Sequence, residues 1–226
     1  MNRPYYICYM IMSLDGRIDC PMTEHLTGSD DYYSVLDSLE TPSHISGRVT
    51  AEIELAKPGK FISKTNKAIG ETSFKKNSES KGYDIICDTK GSLLWDGKAQ
   101  EEQPLLILTS ENAKEDYLSY LDSLGISWIA CGKDHIDFNK ASEILYEEFK
   151  VKRASILGGG HINAGFLENH LIDEVVMIIG SGIDGRENQV SVFDGLKDDY
   201  PLTQLKLTDV SKLPSDAILL KYKVQY

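Results

Sequence analysis

Residues 158–160 are three consecutive glycines that stand between an apolar run, residues 154–157, and a segment with helical spacing. Glycine lets the backbone approach a ligand closely and adopt positive φ. The helix that follows would begin with unpaired N–H groups and a partial positive charge. Together these features can hold a pyrophosphate, although the GxGxxG dinucleotide pattern is absent. A tight turn without a ligand explains the same residues equally well.

A second glycine, Gly47, ends another strand-like segment and is followed by Arg48 and Thr50. A guanidinium binds phosphate through a planar fork of donors, and the Thr50 hydroxyl with nearby N–H groups could hold a further oxygen. The alternative is a surface arginine beside an ordinary helix start.

Asp15 lies in a third segment, residues 13–18, directly after the apolar run 5–12. Ligands of open α/β sheets bind at the carboxyl ends of strands, which makes Asp15 a candidate for substrate contact. A turn stabilised by the aspartate side chain is the alternative.

A regular alternation of elements positions these segments. We predict strands over residues 5–12, 43–47, 83–87, 105–109, 127–131, 154–157 and 175–179, and helices over 30–41, 49–56, 113–124, 139–149 and 161–169. This alternation predicts one α/β domain, residues 1–226, with a mostly parallel central sheet and helices on both faces. Residues 203–210 and 217–224 predict a closing antiparallel hairpin. The lysine-rich residues 60–82 are expected to form a loop with at most one helical piece.

Bulk properties exclude several classes of protein. The net charge of −11 argues against nucleic-acid binding. The apolar runs are shorter than the roughly 20 residues of a membrane span, and no signal peptide is recognisable. The four cysteines show no CxxC spacing, so neither a metal site nor a redox dithiol is expected. We expect a cytoplasmic protein with reduced cysteines.

In this order and context, the three segments resemble the dihydrofolate-reductase superfamily, and most of all the reductase domain of the bifunctional riboflavin-biosynthesis deaminase/reductase. Residues 12–17, MSLDGR, look like that family's N-terminal signature. Residues 47–50, GRVT, and 158–160, GGG, are similar to the two cofactor-binding turns of dihydrofolate reductases. Residues 171–174, LIDE, are similar to the family's closing segment, so the resemblance covers nearly the whole chain.

The resemblance implies a dihydrofolate-reductase-like fold, NADPH as the cofactor, and a homodimer. By it, Arg48 would contact the 2′-phosphate, while Thr50 and the glycine turn would hold the pyrophosphate. The cofactor contacts implied in this way are Ile11, Met12, Gly47, Arg48, Thr50, Thr89, Gly158, Gly159, Gly160, His161, Ile162 and Asn163.

Three acids are candidates for the reaction itself. Asp31 stands where dihydrofolate reductases place an active-site carboxylate, but it would serve equally well in the first turn of a helix. Glu54 matches an acidic family position near the reaction site, and Asp15 is the third candidate.

Departures from the family bear on the substrate. Leu157 replaces an acid of the riboflavin-type reductase, and residues 51–57 lack that family's proline and arginine. A substrate phosphate needs cations, so we favour hydride transfer from NADPH to a small heterocyclic or imine/carbonyl substrate, pterin- or aminopyrimidine-like. The alternatives are a true 5-amino-6-(5-phosphoribosylamino)uracil reductase of riboflavin biosynthesis and a non-catalytic nucleotide-binding module.

Overall fold

The computed structural model describes residues 2–96 and 103–226. The chain forms two compact units, each assembled from separate stretches of sequence. Unit 1 consists of Pro42–Ala154 with the start of the chain up to Pro4, and unit 2 consists of Tyr5–Thr41 and Ser155–Tyr226. The assignment of residues 1–226 to one domain stays a prediction.

The elements follow one another along the chain as strands β1 to β10 and helices α1 to α6. In order they are β1 (Tyr5–Met12), α1 (Cys20–Thr23), α2 (Tyr32–Ser38), β2 (Ser43–Gly47), α3 (Arg48–Glu54), β3 (Ser73–Lys75), β4 (Asp84–Cys87), β5 (Leu105–Thr109), α4 (Glu115–Ser123), β6 (Ser127–Ala130), α5 (Phe138–Glu147), β7 (Arg153–Ile156), α6 (Gly160–Glu168), β8 (Ile172–Ile179), β9 (Gln204–Lys212) and β10 (Ile218–Gln225).

Unit 1 is built on parallel strands in the order β6-β5-β4-β2, with β3 antiparallel beside β6. The central strands β4 and β5 are mostly apolar, and all of their residues except the first of each are buried, as is usual for parallel sheets whose two faces are covered. Ile86, Ile107, Tyr117, Trp95 and Trp128 belong to the core of this unit.

Unit 2 has the order β1-β8-β10-β9, in which β1 and β8 are parallel. Strands β8, β10 and β9 are antiparallel, so the predicted C-terminal hairpin is confirmed. Its core joins residues of β1 and β8, such as Tyr9 and Val176, to Val35 and Leu36 of α2. The predicted α/β fold class is confirmed.

Several boundaries differ from the predictions. Asp137 rather than Asn139 caps α5, where its carboxylate accepts a hydrogen bond from the Lys140 amide at 3.0 Å. Residues 60–82 contain no helix; the short strand β3 forms there by pairing with β6. The first residue of α2 is Tyr32 rather than Asp30. Across the described residues, no helix combines the length and apolar character needed to cross a membrane.

Candidate functional site

A cavity of about 360 Å³ in unit 1 contains an unusual local excess of positive charge for a chain with a net charge of −11. Its lining residues are Arg48, Lys60, Cys87, Asp88, Thr89, Lys90 and Ser92. Three of these are cations and one is an anion. A cluster of this kind can bind phosphate inside an acidic protein.

Neighbouring parallel strands bring the parts of this cavity together. Gly47, at the end of β2, is paired with Cys87, at the end of β4. Arg48 and Thr89 follow these two strand ends, so both lie at the edge of the sheet where ligands of α/β proteins bind. The structure therefore brings together two of the predicted cofactor contacts.

Asp88 shapes the turn that carries Thr89 and Lys90. It is fully buried, and its oxygens accept hydrogen bonds from the amides of Ser92 (2.6 Å) and Leu93 (2.9 Å) and from the hydroxyls of Ser92 and Tyr117 (both 3.1 Å). Burial, and next the charge of Asp88, raise the pKa of Tyr117, so its hydroxyl stays a donor. These four donors satisfy the buried carboxylate.

The Arg48 guanidinium forms an ion pair with Glu52, one turn further along α3. Both side chains are more than a third exposed, at 39% and 38%, so the pair is weak. Because a guanidinium has five donors, Arg48 can contact a phosphate while it keeps this partner.

The glycine turn of unit 2 has two glycines that packing requires and one, Gly159, where a side chain would make only ordinary contact. A Cβ at Gly160 would lie 2.3 Å from the carbonyl oxygen of Ser191, and a Cβ at Gly158, where φ is +95°, would lie 2.9 Å from the Met10 sulfur. At Gly159 the nearest atom would be 3.9 Å away. The backbone at Gly159 is therefore open to close approach by a ligand.

Asn163, in the first turn of the nine-residue helix α6, carries an unsatisfied buried acceptor. Its Nδ2 donates to the Val192 carbonyl at 2.7 Å, while its Oδ1 is buried and has no hydrogen-bond partner among residues 2–96 and 103–226. Such atoms are rare, and a ligand donor would satisfy this one. The neighbouring Ile162 is half-buried, and the exposed His161 places its Nδ1 3.1 Å from the Asp194 carbonyl oxygen.

Ile11 and Met12 end β1 and are half-buried. They pair with Ile178 and Ile179 of β8, and the Met12 carbonyl accepts a hydrogen bond from the Gly180 amide at 2.9 Å. Backbone contacts of these two residues with a ligand remain a prediction.

The Asp15 carboxylate joins two loops of unit 2. It accepts hydrogen bonds from the Ser13 hydroxyl at 2.7 Å and from the amides of Asp184 and Gly185, both at 3.0 Å. The Ser13 bond, followed by the amide bonds, holds the pKa of Asp15 well below its usual value. A carboxylate held in the ionised form is a poor proton donor, so the geometry favours loop positioning over catalysis.

The other two candidate acids lie in different units. Asp31 occupies the N-cap position of α2 in unit 2, where it makes no capping bond and instead accepts a hydrogen bond from the Ser215 hydroxyl. Glu54 is the exposed last residue of α3 in unit 1. Asp31 thus belongs to the same unit as Asp15, and Glu54 to the same unit as Arg48.

Sequence reasoning missed Lys60 and Lys90 of the cavity. Lys90 follows Thr89 directly, so its place after β4 could have identified it. No local pattern marks Lys60, because it reaches the cavity through the path of a loop.

The fold and the cation-lined cavity of unit 1 define an α/β protein that can hold a phosphate group. The chain belongs to the RibD C-terminal domain family, whose profile matches residues 4–219. The resemblance stated above is therefore confirmed.

Two curated relatives carry the name 2,5-diamino-6-ribosylamino-4(3H)-pyrimidinone 5′-phosphate reductase. The protein from Aquifex aeolicus is 32% identical over 95 residues, which are 42% of each chain. The protein from Saccharomyces cerevisiae is 32% identical over 127 residues, which are 50% of each chain. The matches thus span about half the length of these relatives. Their names agree with the riboflavin alternative better than with a pterin-like substrate, and they confirm a family of reductases.

Solved structures share the fold. A pyrimidine reductase-like protein from Corynebacterium diphtheriae has a TM-score of 0.74 at 19% identity, covering 100% of this chain and 93% of that one. RibD from Acinetobacter baumannii gives 0.72 at 19% identity, with coverage of 100% and 59%. The Saccharomyces cerevisiae riboflavin biosynthesis reductase Rib7 gives 0.65 at 20% identity, with coverage of 100% and 91%.

Proposed function

We propose that this chain is an NADPH-dependent reductase of a phosphorylated ribosylaminopyrimidine in riboflavin biosynthesis. The names of the curated relatives support the substrate. The observation that carries the choice of cofactor is the cavity of unit 1 with Arg48, Lys60 and Lys90 in its lining. The nicotinamide, when bound, supplies the hydride, and the protein positions the reactants and excludes water.

In unit 1, Arg48 binds the 2′-phosphate of the cofactor, since a guanidinium fork matches phosphate oxygens. Thr89 lines the same cavity and contacts the adenosine side. Gly47 and Thr50 contribute pyrophosphate contacts from the turn between β2 and α3. These assignments rest on the family resemblance and on the lining of the cavity.

In unit 2, the pyrophosphate contacts come from Gly158, Gly159 and Gly160 with the first turn of α6, which includes His161 and Ile162. The open side of Gly159 and the unpartnered Oδ1 of Asn163 support this assignment. Ile11 and Met12 border the nicotinamide through backbone groups.

Among the acids, Asp31 is assigned to proton transfer to the substrate, because it stands where dihydrofolate reductases place their active-site carboxylate. Asp15 positions the loop after β1. Glu54 contributes near the substrate from unit 1. The substrate phosphate requires cations other than those of the riboflavin-type pattern, because residues 51–57 lack the arginine of that pattern.

Titration calorimetry with NADPH and NADH tests the cofactor. We expect the wild type to prefer NADPH and Arg48→Ala to lose about 1.5–3 kcal/mol of that preference, the strength of a hydrogen bond to a charged group. Lys133→Ala, which removes an exposed cation of unit 1 outside the cavity lining, should bind as the wild type does. Failure of both nucleotides to bind would remove the basis for a reductase.

A turnover assay tests the substrate. Consumption of NADPH should depend on 2,5-diamino-6-ribosylamino-4(3H)-pyrimidinone 5′-phosphate, with the uracil analogue and pterins as comparison substrates. Rescue of a riboflavin auxotroph by this chain would also support the proposed substrate. Binding of NADPH without turnover of any of these compounds would favour a non-catalytic nucleotide-binding module instead.

We also propose that the protein is a homodimer and that it is located in the cytoplasm. β9 is the terminal strand of the order β1-β8-β10-β9, and every one of its residues except Ser211 is exposed. It presents Leu205, Leu207 and Val210 to solvent, and such a strand is a template for pairing with another chain. The four free cysteines fit a reducing compartment.

A further inference from the structure

Lys60 is held at the cavity of unit 1 by its chain neighbours. The Lys57 amide donates to the Leu94 carbonyl and the Phe61 amide donates to the Ser92 carbonyl, both at 2.8 Å. Ser92 itself lines the cavity. These two backbone bonds fix the path of residues 57–61, so the position of Lys60 follows from the fold rather than from a loose loop.

An aromatic cluster joins the segment of Lys60 to the turn of Lys90. The Phe61 ring lies 5.1 Å from the ring of Tyr120, which it stacks upon, and 5.1 Å from the ring of Tyr117, which it meets edge-on. Tyr117 in turn donates to Asp88, which holds the turn after β4. The two lysines are therefore positioned by one connected set of contacts.

These lysines are available to an external anion. Within residues 2–96 and 103–226, neither the Lys60 nor the Lys90 ammonium lies within 4.0 Å of a carboxylate, whereas Arg48 is paired with Glu52. Asp88 is the carboxylate among the lining residues, and its oxygens already accept four hydrogen bonds. A phosphate monoester, with a charge of about −1.5 to −2 at neutral pH, matches this arrangement.

We propose that Lys60 is a specificity-determining residue that contacts the 2′-phosphate and so selects NADPH over NADH. This inference rests on the proposed function and adds a residue from a loop that the family motifs do not include. NADH has no 2′-phosphate, so the Lys60 ammonium would have no phosphate to bind in NADH.

The test uses 2′,5′-ADP, 5′-AMP and ribose 5-phosphate as probes in titration calorimetry. We expect Lys60→Met to bind 2′,5′-ADP about tenfold more weakly than the wild type, the effect of losing one charged contact, and to bind 5′-AMP unchanged. Lys60→Arg should retain most of the affinity. Lys64→Met, which removes a cation four residues further along the same loop but outside the cavity lining, should leave all three affinities unchanged.

The results with the three probes distinguish a wrong role for Lys60 from a wrong cofactor assignment. Normal binding of 2′,5′-ADP by Lys60→Met, together with weak binding by Arg48→Ala, would overturn the role of Lys60 and leave the proposed function standing. Equal binding of 2′,5′-ADP and 5′-AMP by the wild type would overturn the cofactor assignment itself. Loss of ribose 5-phosphate binding alone would assign the cavity to the substrate phosphate and overturn the inference.

Discussion

The Asp15 carboxylate accepts hydrogen bonds from the amides of Asp184 and Gly185, which lie 169 and 170 positions further along the chain. One exposed side chain thus ties the loop after β1 to the loop after β8. Its third partner, the Ser13 hydroxyl, comes from its own loop.

Replacement of Asp15 by asparagine should lower the melting temperature at neutral pH, because an amide nitrogen cannot accept from a backbone N–H. The folded pKa of Asp15 lies below its usual value of 3.8. The contribution of Asp15 to the stability of the folded protein is therefore fully present above its usual pKa, and it is lost as the pH falls through the folded pKa. Urea unfolding should show the gap between wild type and Asp15→Asn narrow at about pH 3. Asp198→Asn, at an exposed aspartate of the same unit, serves as the control. A difference in the free energy of unfolding between wild type and Asp15→Asn that does not depend on pH would show that the ionised carboxylate is not the cause.

Two alanine substitutions in the glycine turn should separate folding from binding. Gly160→Ala places a Cβ 2.3 Å from the Ser191 carbonyl oxygen and should destabilise the protein by about 1–3 kcal/mol. Gly159→Ala meets nothing closer than 3.9 Å, so it should leave the melting temperature nearly unchanged and weaken NADPH binding. Thermal unfolding and calorimetry measure the two effects. Full NADPH affinity in Gly159→Ala would show that the cofactor does not approach this backbone.

Asp31→Asn should lower kcat by about 100-fold or more while it leaves the Kd for NADPH unchanged, because the acid serves proton transfer rather than cofactor binding. The control is Ser215→Ala, which removes the hydroxyl partner but keeps the acid. It should retain most of kcat. A parallel loss of NADPH affinity in Asp31→Asn would indicate a purely structural role in α2.

Leu207→Glu should convert the proposed homodimer to a monomer, since it puts a charge in the middle of the exposed strand β9. Sedimentation velocity measures the change. Leu202→Glu removes an exposed leucine outside the strand and should leave the dimer intact. A wild-type chain that sediments as a monomer would refute the pairing through β9.

The sequence predicted most of the elements because their signals are local. Strand β2, residues 43–47, has the predicted bounds because it starts after Pro42 and ends at Gly47. Strand β5, residues 105–109, has them because it is a short, mostly apolar run. The cap of α5 was wrongly assigned to Asn139. Asparagine and aspartate are equally good caps by residue type, and only the hydrogen bond of the Asp137 carboxylate in the structure shows which one caps the helix. Strand β3 was missed because it is only three residues long and its pairing with β6 is not local.

In the candidate site too, residues next to predicted strands could be identified from the sequence, whereas residues placed by long-range contacts could not. Arg48 and the glycine turn follow predicted strands, so their places were visible in the sequence. Lys60 enters the cavity through hydrogen bonds of its neighbours to Ser92 and Leu94, some 30 residues away. The hydrogen bonds of Asp15 with the amides of Asp184 and Gly185 depend on the distant loop after β8. Contacts between distant segments carry no local pattern, and both were therefore found only in the structure.

The discontinuity of unit 2 has a consequence for synthesis on the ribosome. β1 pairs with β8, whose residues 172–179 emerge only after all of Pro42–Ala154 has been translated. Unit 1 can therefore fold first, while the apolar strand β1 waits without its partner. Pairing over such a separation slows folding and leaves the waiting strand open to aggregation, so the nascent chain is a natural client for a chaperone until β8 appears.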